Sequence, residues 1–74
     1  MPKYYFDIED GANSHRDDEG IEFSGATAAS HEMRSALLEI GKQVIATDER
    51  RQLVGIIRDG NGVLWRGRLS FEVG

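Results

Sequence analysis

A chain of 74 residues and 8.3 kDa holds one domain, which at this length buries only about 60% of the surface its unfolded form exposes. It has no cysteine, which excludes disulfides, thiolate metal sites and thiol nucleophiles. A composition of 39% hydrophobic and 30% charged residues fits an ordered soluble domain rather than a disordered one.

No apolar run approaches the roughly eighteen residues of a membrane span. The opening "MPKYYFDIEDG" lacks the apolar core of a secretory signal, so a cytoplasmic location is expected. The net charge of −4 is unevenly spread. Residues 1–23 hold seven acids against Lys3 and Arg16, a balance of −5; residues 24–47 balance to zero; residues 48–74 set five arginines against four acids. A domain built for phosphate backbones is normally basic overall, so nucleic acid is disfavoured as a partner. The acidic front and mildly basic tail can instead pair within one fold or between two copies. Small domains that lack staples often complete their cores by self-association.

"KYYFDIE" alternates, with Tyr4, Phe6 and Ile8 on one face and Tyr5, Asp7 and Glu9 on the other, the pattern of a half-buried strand. "DGAN" (Asp10–Asn13) supplies turn chemistry. "SHRD" can return as a second strand, and after the turn signal "DEG" the segment "IEF" makes a strand of three residues at best. Residues 14–23 are therefore open between one strand and two.

From Ala26 the period becomes helical, with Ala29, Met33, Ala36, Leu37, Ile40 and Val44 on one stripe. The spacing predicts a helix near Thr27–Ile45, about 28 Å long, with Ser24 or Thr27 as its N-cap. Gly41 inside it costs roughly 1 kcal/mol relative to alanine, which close approach to the sheet would explain. "ATDERR" breaks the pattern, and "ERRQ" (Glu49–Gln52) reads as a solvated loop.

In the tail, "QLVGIIR" and "VLWRGRLSFEV" flank "DGNG", a strong hairpin signal. A two-residue loop at Gly60–Asn61 pairs Ile56 with Trp65 and Val54 with Gly67. Trp65 and Phe71 are then core residues, with Val54 and Ile56 opposite them. Residues 70–73 overhang the shorter partner strand and need another strand to satisfy their backbone. The far face carries Leu53, Gly55, Ile57, Leu64, Arg66 and Arg68, and Tyr5, Asp7 and Glu9 join it if the first strand lies in the same sheet. The leading expectation is that Asp7 and Glu9 neutralise Arg66 and Arg68 across strands. The alternative is a contact surface formed by Tyr5, Leu53, Ile57, Leu64, Arg66 and Arg68. An RNA platform is the weakest reading, because only Tyr5 is available for stacking.

No catalytic constellation emerges, and no cofactor or metal site is expected. "RDDEG" with Glu22 and His15 does not match a calcium loop. His15 and His31 read as surface residues, and their serine neighbours are badly placed for nucleophile–base geometry. "DGNG" lacks the lysine and following helix of a phosphate loop.

Four stretches, "MPKYYFDIEDG", "DDEGIEF", "ATAASHEM" and "IRDGNGVLWRGRLSFEV", together resemble a small domain-of-unknown-function family common in alphaproteobacteria. Its members open Met-Pro-x-Tyr-(Tyr/Phe)-Phe-Asp, place Asp-x-x-Gly before the helix and close near Phe-x-Val. The matching residues are Tyr4, Phe6, Asp7, Asp17, Gly20 and Phe71, which read mostly as scaffold. The resemblance implies a bacterial, cytoplasmic stand-alone domain and brings no activity or functional residue with it. A fold-level likeness to HicB-type antitoxins rests on the order of "YYFDIEDG" and "SGATAASHEMRSALLE". The aromatic–proline segment expected before the helix is absent, however, and the chain ends in a hairpin with no DNA-binding domain after it.

The expectation is one α+β domain over residues 1–74: an N-terminal hairpin, one long helix packed on an antiparallel or mixed sheet, and a C-terminal hairpin. A spatial order of 2-1-3-4 makes the sheet antiparallel. Placing the fourth strand beside the first makes it mixed and suits the Asp7/Glu9–Arg66/Arg68 pairing. The expected role is a non-enzymatic interaction module with a homodimer or a small protein as partner; the alternative is a nucleic-acid-associated or antitoxin-like regulator.

Overall fold

The computed structural model describes residues 1–11, 13–45 and 50–73. In chain order they form β1 (Lys3–Asp10), β2 (Asn13–His15), β3 (Ile21–Glu22), α1 (Ala26–Ile45), β4 (Arg50–Asp59) and β5 (Gly62–Glu72). The sheet runs β2-β1-β4-β5, with β3 also on β1, and every pairing is antiparallel. Of the two strand orders open to the sequence, 2-1-3-4 is the one adopted. Helix α1 lies across one face, and among the described residues no helix covers the other, so the fold is a two-layer α+β domain.

Segment 14–23 resolves into two short strands that both return along the same edge of β1. Ile8 faces His15, while Tyr4 faces Ile21. Four steps of β1 are thus spanned by six of the returning chain, and the surplus is thrown out as a loop around Asp17–Gly20. Beyond β3, the Phe23 amide donates to the Pro2 carbonyl at 3.1 Å, and the Phe23 ring stacks on Phe6 with centroids 5.6 Å apart.

The helical stripe packs as its spacing predicts. Ala29, Met33 and Leu37 are buried against Tyr4, Leu53 and Ile57, and Ile40 and Val44 pack at the margin. Burial of a side chain such as Met33 or Leu37 contributes about 1.5–3 kcal/mol. The helix starts one residue earlier than expected. The Gly25 carbonyl accepts the Ala29 amide at 3.2 Å, so the cap position is Gly25 rather than Ser24 or Thr27. Gly41 is buried. The expected helix break at residues 46–49 lies outside the described residues.

In the C-terminal hairpin the loop is Gly60–Asn61, closed by the Asp59–Gly62 pair, as expected. The register beyond it is not the expected one. Arg58 faces Val63 but Ile57 faces Trp65, so Leu64 is an extra residue in a β-bulge. This single residue changes the parity of everything beyond it. Gly55 faces Gly67, Leu53 faces Leu69, and both pairs lie under the helix, while Val54 and Ile56 sit opposite Arg68 and Arg66 on the far face. Leu53 and Ile57, each only 1% exposed, are core residues. Val54 and Ile56 are half-buried on the outer face, the reverse of the expected arrangement.

The reason is steric as well as topological. A Cβ on Gly55 would lie 2.7 Å from Met33 Sδ and 3.1 Å from Leu37 Cδ1. The glycine is what lets α1 settle onto β4. Directly opposite, Gly67 is roofed by the indole of Trp65, which occupies the space a side chain there would need. The expected overhang of residues 70–73 is absent at residues 70–72. β4 begins at Arg50, so Arg50, Arg51 and Gln52 pair with Glu72, Phe71 and Ser70 rather than forming a loop.

Candidate interaction surface

The outer face of β1 carries the tightest polar cluster among the described residues. β1 lies beside β4, so Tyr5 faces Arg58 and Asp7 faces Ile56. Arg58 grips the Asp7 carboxylate with two hydrogen bonds, Nε to Oδ2 at 2.6 Å and Nη2 to Oδ1 at 3.1 Å. It also donates to the Asp17 carbonyl at 2.6 Å, and its guanidinium lies 5.1 Å above the centre of the Tyr5 ring. The expected Asp7/Glu9–Arg66/Arg68 pairing is therefore not formed at Asp7. That pairing needed β5 beside β1, and β4 stands between them.

Asp17 completes the cluster from the surplus loop. Its amide donates to Asp7 Oδ1 at 2.9 Å, and its own carboxylate accepts from Phe6 at 3.0 Å and from Glu19 and Gly20 at 3.1 Å each. Where β2 and β3 leave a gap, this carboxylate stands in for the missing strand carbonyl. Gly20 ends the loop with φ of 76°, and a Cβ there would meet the Lys3 and Tyr5 side chains within 3 Å. The Arg58 hydrogen bonds hold the Asp7 carboxyl below the usual carboxylate range, against the opposing effect of burial, and the Asp17 amide adds to them. The Phe6 amide leads the same lowering at Asp17, and Asp7 in turn raises Arg58. The cluster is a clamp in which each polar group is answered by another. On the other face of the sheet, Arg51 makes a similar two-bond pair with Asp10, at 2.8 and 2.9 Å.

The six residues expected to form a contact surface do not gather in one place. Arg66 and Arg68 stand exposed on the outer face beside Ile56 and Val54. Tyr5 shares that face but is half-buried against Arg58. Leu53 and Ile57 are removed to the core by the parity change. Leu64, at 48% exposure, lines a shallow depression of about 190 Å³ with Ala26, Thr27, Ser30 and Trp65 on the helix side.

What remains exposed lies along β5. Its inner edge pairs with β4 from Gly62 to Glu72, and among the described residues no strand pairs with its outer edge. Beside that edge runs an apolar groove of about 360 Å³ between α1 and β5, lined by Leu37, Leu38, Trp65 and Leu69 and flanked by Arg34 and Arg68. Leu38 is 56% exposed at its rim. Among the described residues there is no group of three or more histidine, aspartate or glutamate side chains placed to hold a metal ion, and no helix long and apolar enough to cross a membrane.

A family model described as a domain of unknown function, DUF6894, matches residues 3–70. The chain belongs to that family. No curated protein and no solved structure matches it. The match takes in the whole clamp and most of β5, so both features belong to the family domain rather than to an appendage. Sequence reasoning missed the partnership of Arg58 with Asp7. The signal that could have found it is Gly55. A glycine in a central strand marks close approach of another element, which puts odd-numbered β4 residues under the helix and Arg58 on the outer face with Asp7.

Proposed function

We propose that this domain is a non-enzymatic protein-interaction module working through the outer edge of β5 and the arginines beside it. The observation that carries this reading is the contrast in backbone pairing. β1 is paired on both sides, whereas eleven residues of β5 offer one side to solvent among the described residues. An open edge of this length is a template for strand addition, in which main-chain hydrogen bonds supply affinity and alternate side chains supply selection. The neighbouring apolar groove and exposed arginines match the aliphatic and arginine character of interface cores and rims. A regulator that binds nucleic acid would rely on the same arginines, but it has less support. Tyr5, its one candidate for base stacking, is covered by Arg58.

The test is a double charge reversal, Arg66→Glu with Arg68→Glu, in the tagged full chain. Proteins captured by the wild type should fall at least about tenfold in yield, while stability stays within about 0.5 kcal/mol, as for other exposed substitutions. An unchanged set of captured proteins would remove this surface from consideration. Captured material dominated by nuclease-sensitive absorbance near 260 nm would favour the regulator instead.

A further inference from the structure

We infer that one partner of the β5 edge is a second copy of this chain, joined by antiparallel β5–β5 pairing about a two-fold axis that passes beside Leu69. This deepens the interaction-module reading and rests on it. Two identical strands can pair antiparallel in only a few registers, each defined by the residue that faces itself. The side chains on the outer face distinguish among them.

Centring on Arg66 or Arg68 sets that arginine against its own copy. Centring on Gly67 sets Arg66 against Arg68 twice. Like charges directly opposite are destabilising. Centring on Leu69 reverses the situation: Arg66 faces Glu72 of the second copy, and Arg68 faces Ser70, each twice by symmetry. Centring on Ser70 keeps a charge match, Arg68 with Glu72, but shortens the ladder at each end. The Leu69 register is therefore the longest that opposes no arginine to another and leaves the bulge at Leu64 outside the ladder.

The helix-side face agrees with this choice. In that register Leu69 meets Leu69, Gly67 meets Phe71 and Trp65 meets Val73, the last of which is 63% exposed in the single chain. The groove between α1 and β5 calls for an extended segment with apolar residues at alternate positions. β5 is itself such a segment, with Trp65, Leu69 and Phe71 half-buried on one side and Arg66, Arg68, Ser70 and Glu72 exposed on the other. The two-fold axis stands perpendicular to the sheet, so both helices lie on the same side and the two exposed Leu38 side chains are brought toward each other. The bulge at Leu64 falls just beyond the last pair, leaving the stretch that pairs regular.

The experiment is sedimentation equilibrium of the full chain from about 10 μM to 1 mM, on the wild type, Arg66→Glu, Glu72→Arg and the combined Arg66→Glu/Glu72→Arg chain. The wild type should dimerise, each single reversal should weaken dimerisation at least tenfold, and the combined chain should recover most of it. Because the sequence has no cysteine, Leu69→Cys gives a second readout. Mild oxidation should yield a covalent dimer, whereas Arg66→Cys should not.

A monomeric wild type at 1 mM would overturn the inference while leaving strand addition to a different protein intact. Dimers with no charge-swap recovery and no Leu69→Cys crosslink would overturn the β5 register. The broader interaction reading fails separately, when the wild type is monomeric and its captured proteins ignore the arginine reversals.

Discussion

Along β1 the sheet edge is closed twice over, by two short strands and by an aspartate carboxylate placed where a strand carbonyl would otherwise be, whereas along β5 a longer edge pairs with no strand among the described residues. The difference lies in where the polar side chains are used. Asp7, Asp17 and Arg58 are turned inward to satisfy each other and the backbone. Arg66 and Arg68 stand clear of the surface. The charged groups tied most tightly into the fold, Asp7, Asp17, Arg58 and the Asp10–Arg51 pair, all lie on or against β1. Stability is therefore concentrated on the β1 side and availability on the β5 side.

The sharpest way to break the contrast is Arg58→Ala. Asp7, whose side chain is only 12% exposed, would keep its charge and lose its partner. The expected cost is about 3 kcal/mol, the low end for breaking a buried pair, seen as a fall in melting temperature of roughly 12–24 °C at this size. Asp17→Ala comes next, at about 2 kcal/mol, because three amides lose a charged acceptor but can partly turn to water; the urea midpoint measures it.

Acid should act on the same end of the molecule. Asp7 and Asp17 have folded-state values below their ordinary 3.8, so their contribution is complete above that value and is lost as pH falls through it toward the folded values. Urea midpoints recorded downward from pH 5 should decline more steeply for the wild type than for Asp7→Asn. Parallel curves would show that the clamp carries no proton-linked stability. The smallest effect is expected at the opposite edge, where Arg68→Glu should move stability by no more than about 0.5 kcal/mol. A larger loss would mean that β5 is less independent of the clamp than its geometry indicates.

The element order, the helix stripe and the two-residue hairpin loop were legible because each rests on local periodicity or turn chemistry. Tyr4, Phe6 and Ile8 alternated as they pack, and Ala29, Met33 and Leu37 recurred at helical spacing. The inner face of β4 was not legible by counting from the turn, because one unpaired residue at Leu64 shifted the count. Val54 and Ile56 are as apolar as Leu53 and Ile57, so composition alone did not separate the two faces. The clamp was half visible. Asp7 and Asp17 stood out in the opening motif and the Asp-x-x-Gly loop, but their partner Arg58 depends on two things: Gly55 marks its face, and which strand neighbours β1 is a matter of topology.

The bulge also bears on how the hairpin tolerates changes in length. Counting outward from the Asp59–Gly62 pair, Val63 lies on the outer face and Trp65 on the inner, with Leu64 belonging to neither rank of the ladder. In the language of a reading frame, Leu64 is a spacer whose removal leaves the phase on both sides unchanged. Losing the codon for Leu64 would join Val63 to Trp65 in ordinary alternation and give a regular hairpin. Losing the codon for Arg66 would be a frameshift in space: it would turn either Trp65 or the Leu69 and Phe71 rank away from the helix, and bring charge toward Met33. Two single-residue deletions on either side of Trp65 would thus have opposite consequences for this fold.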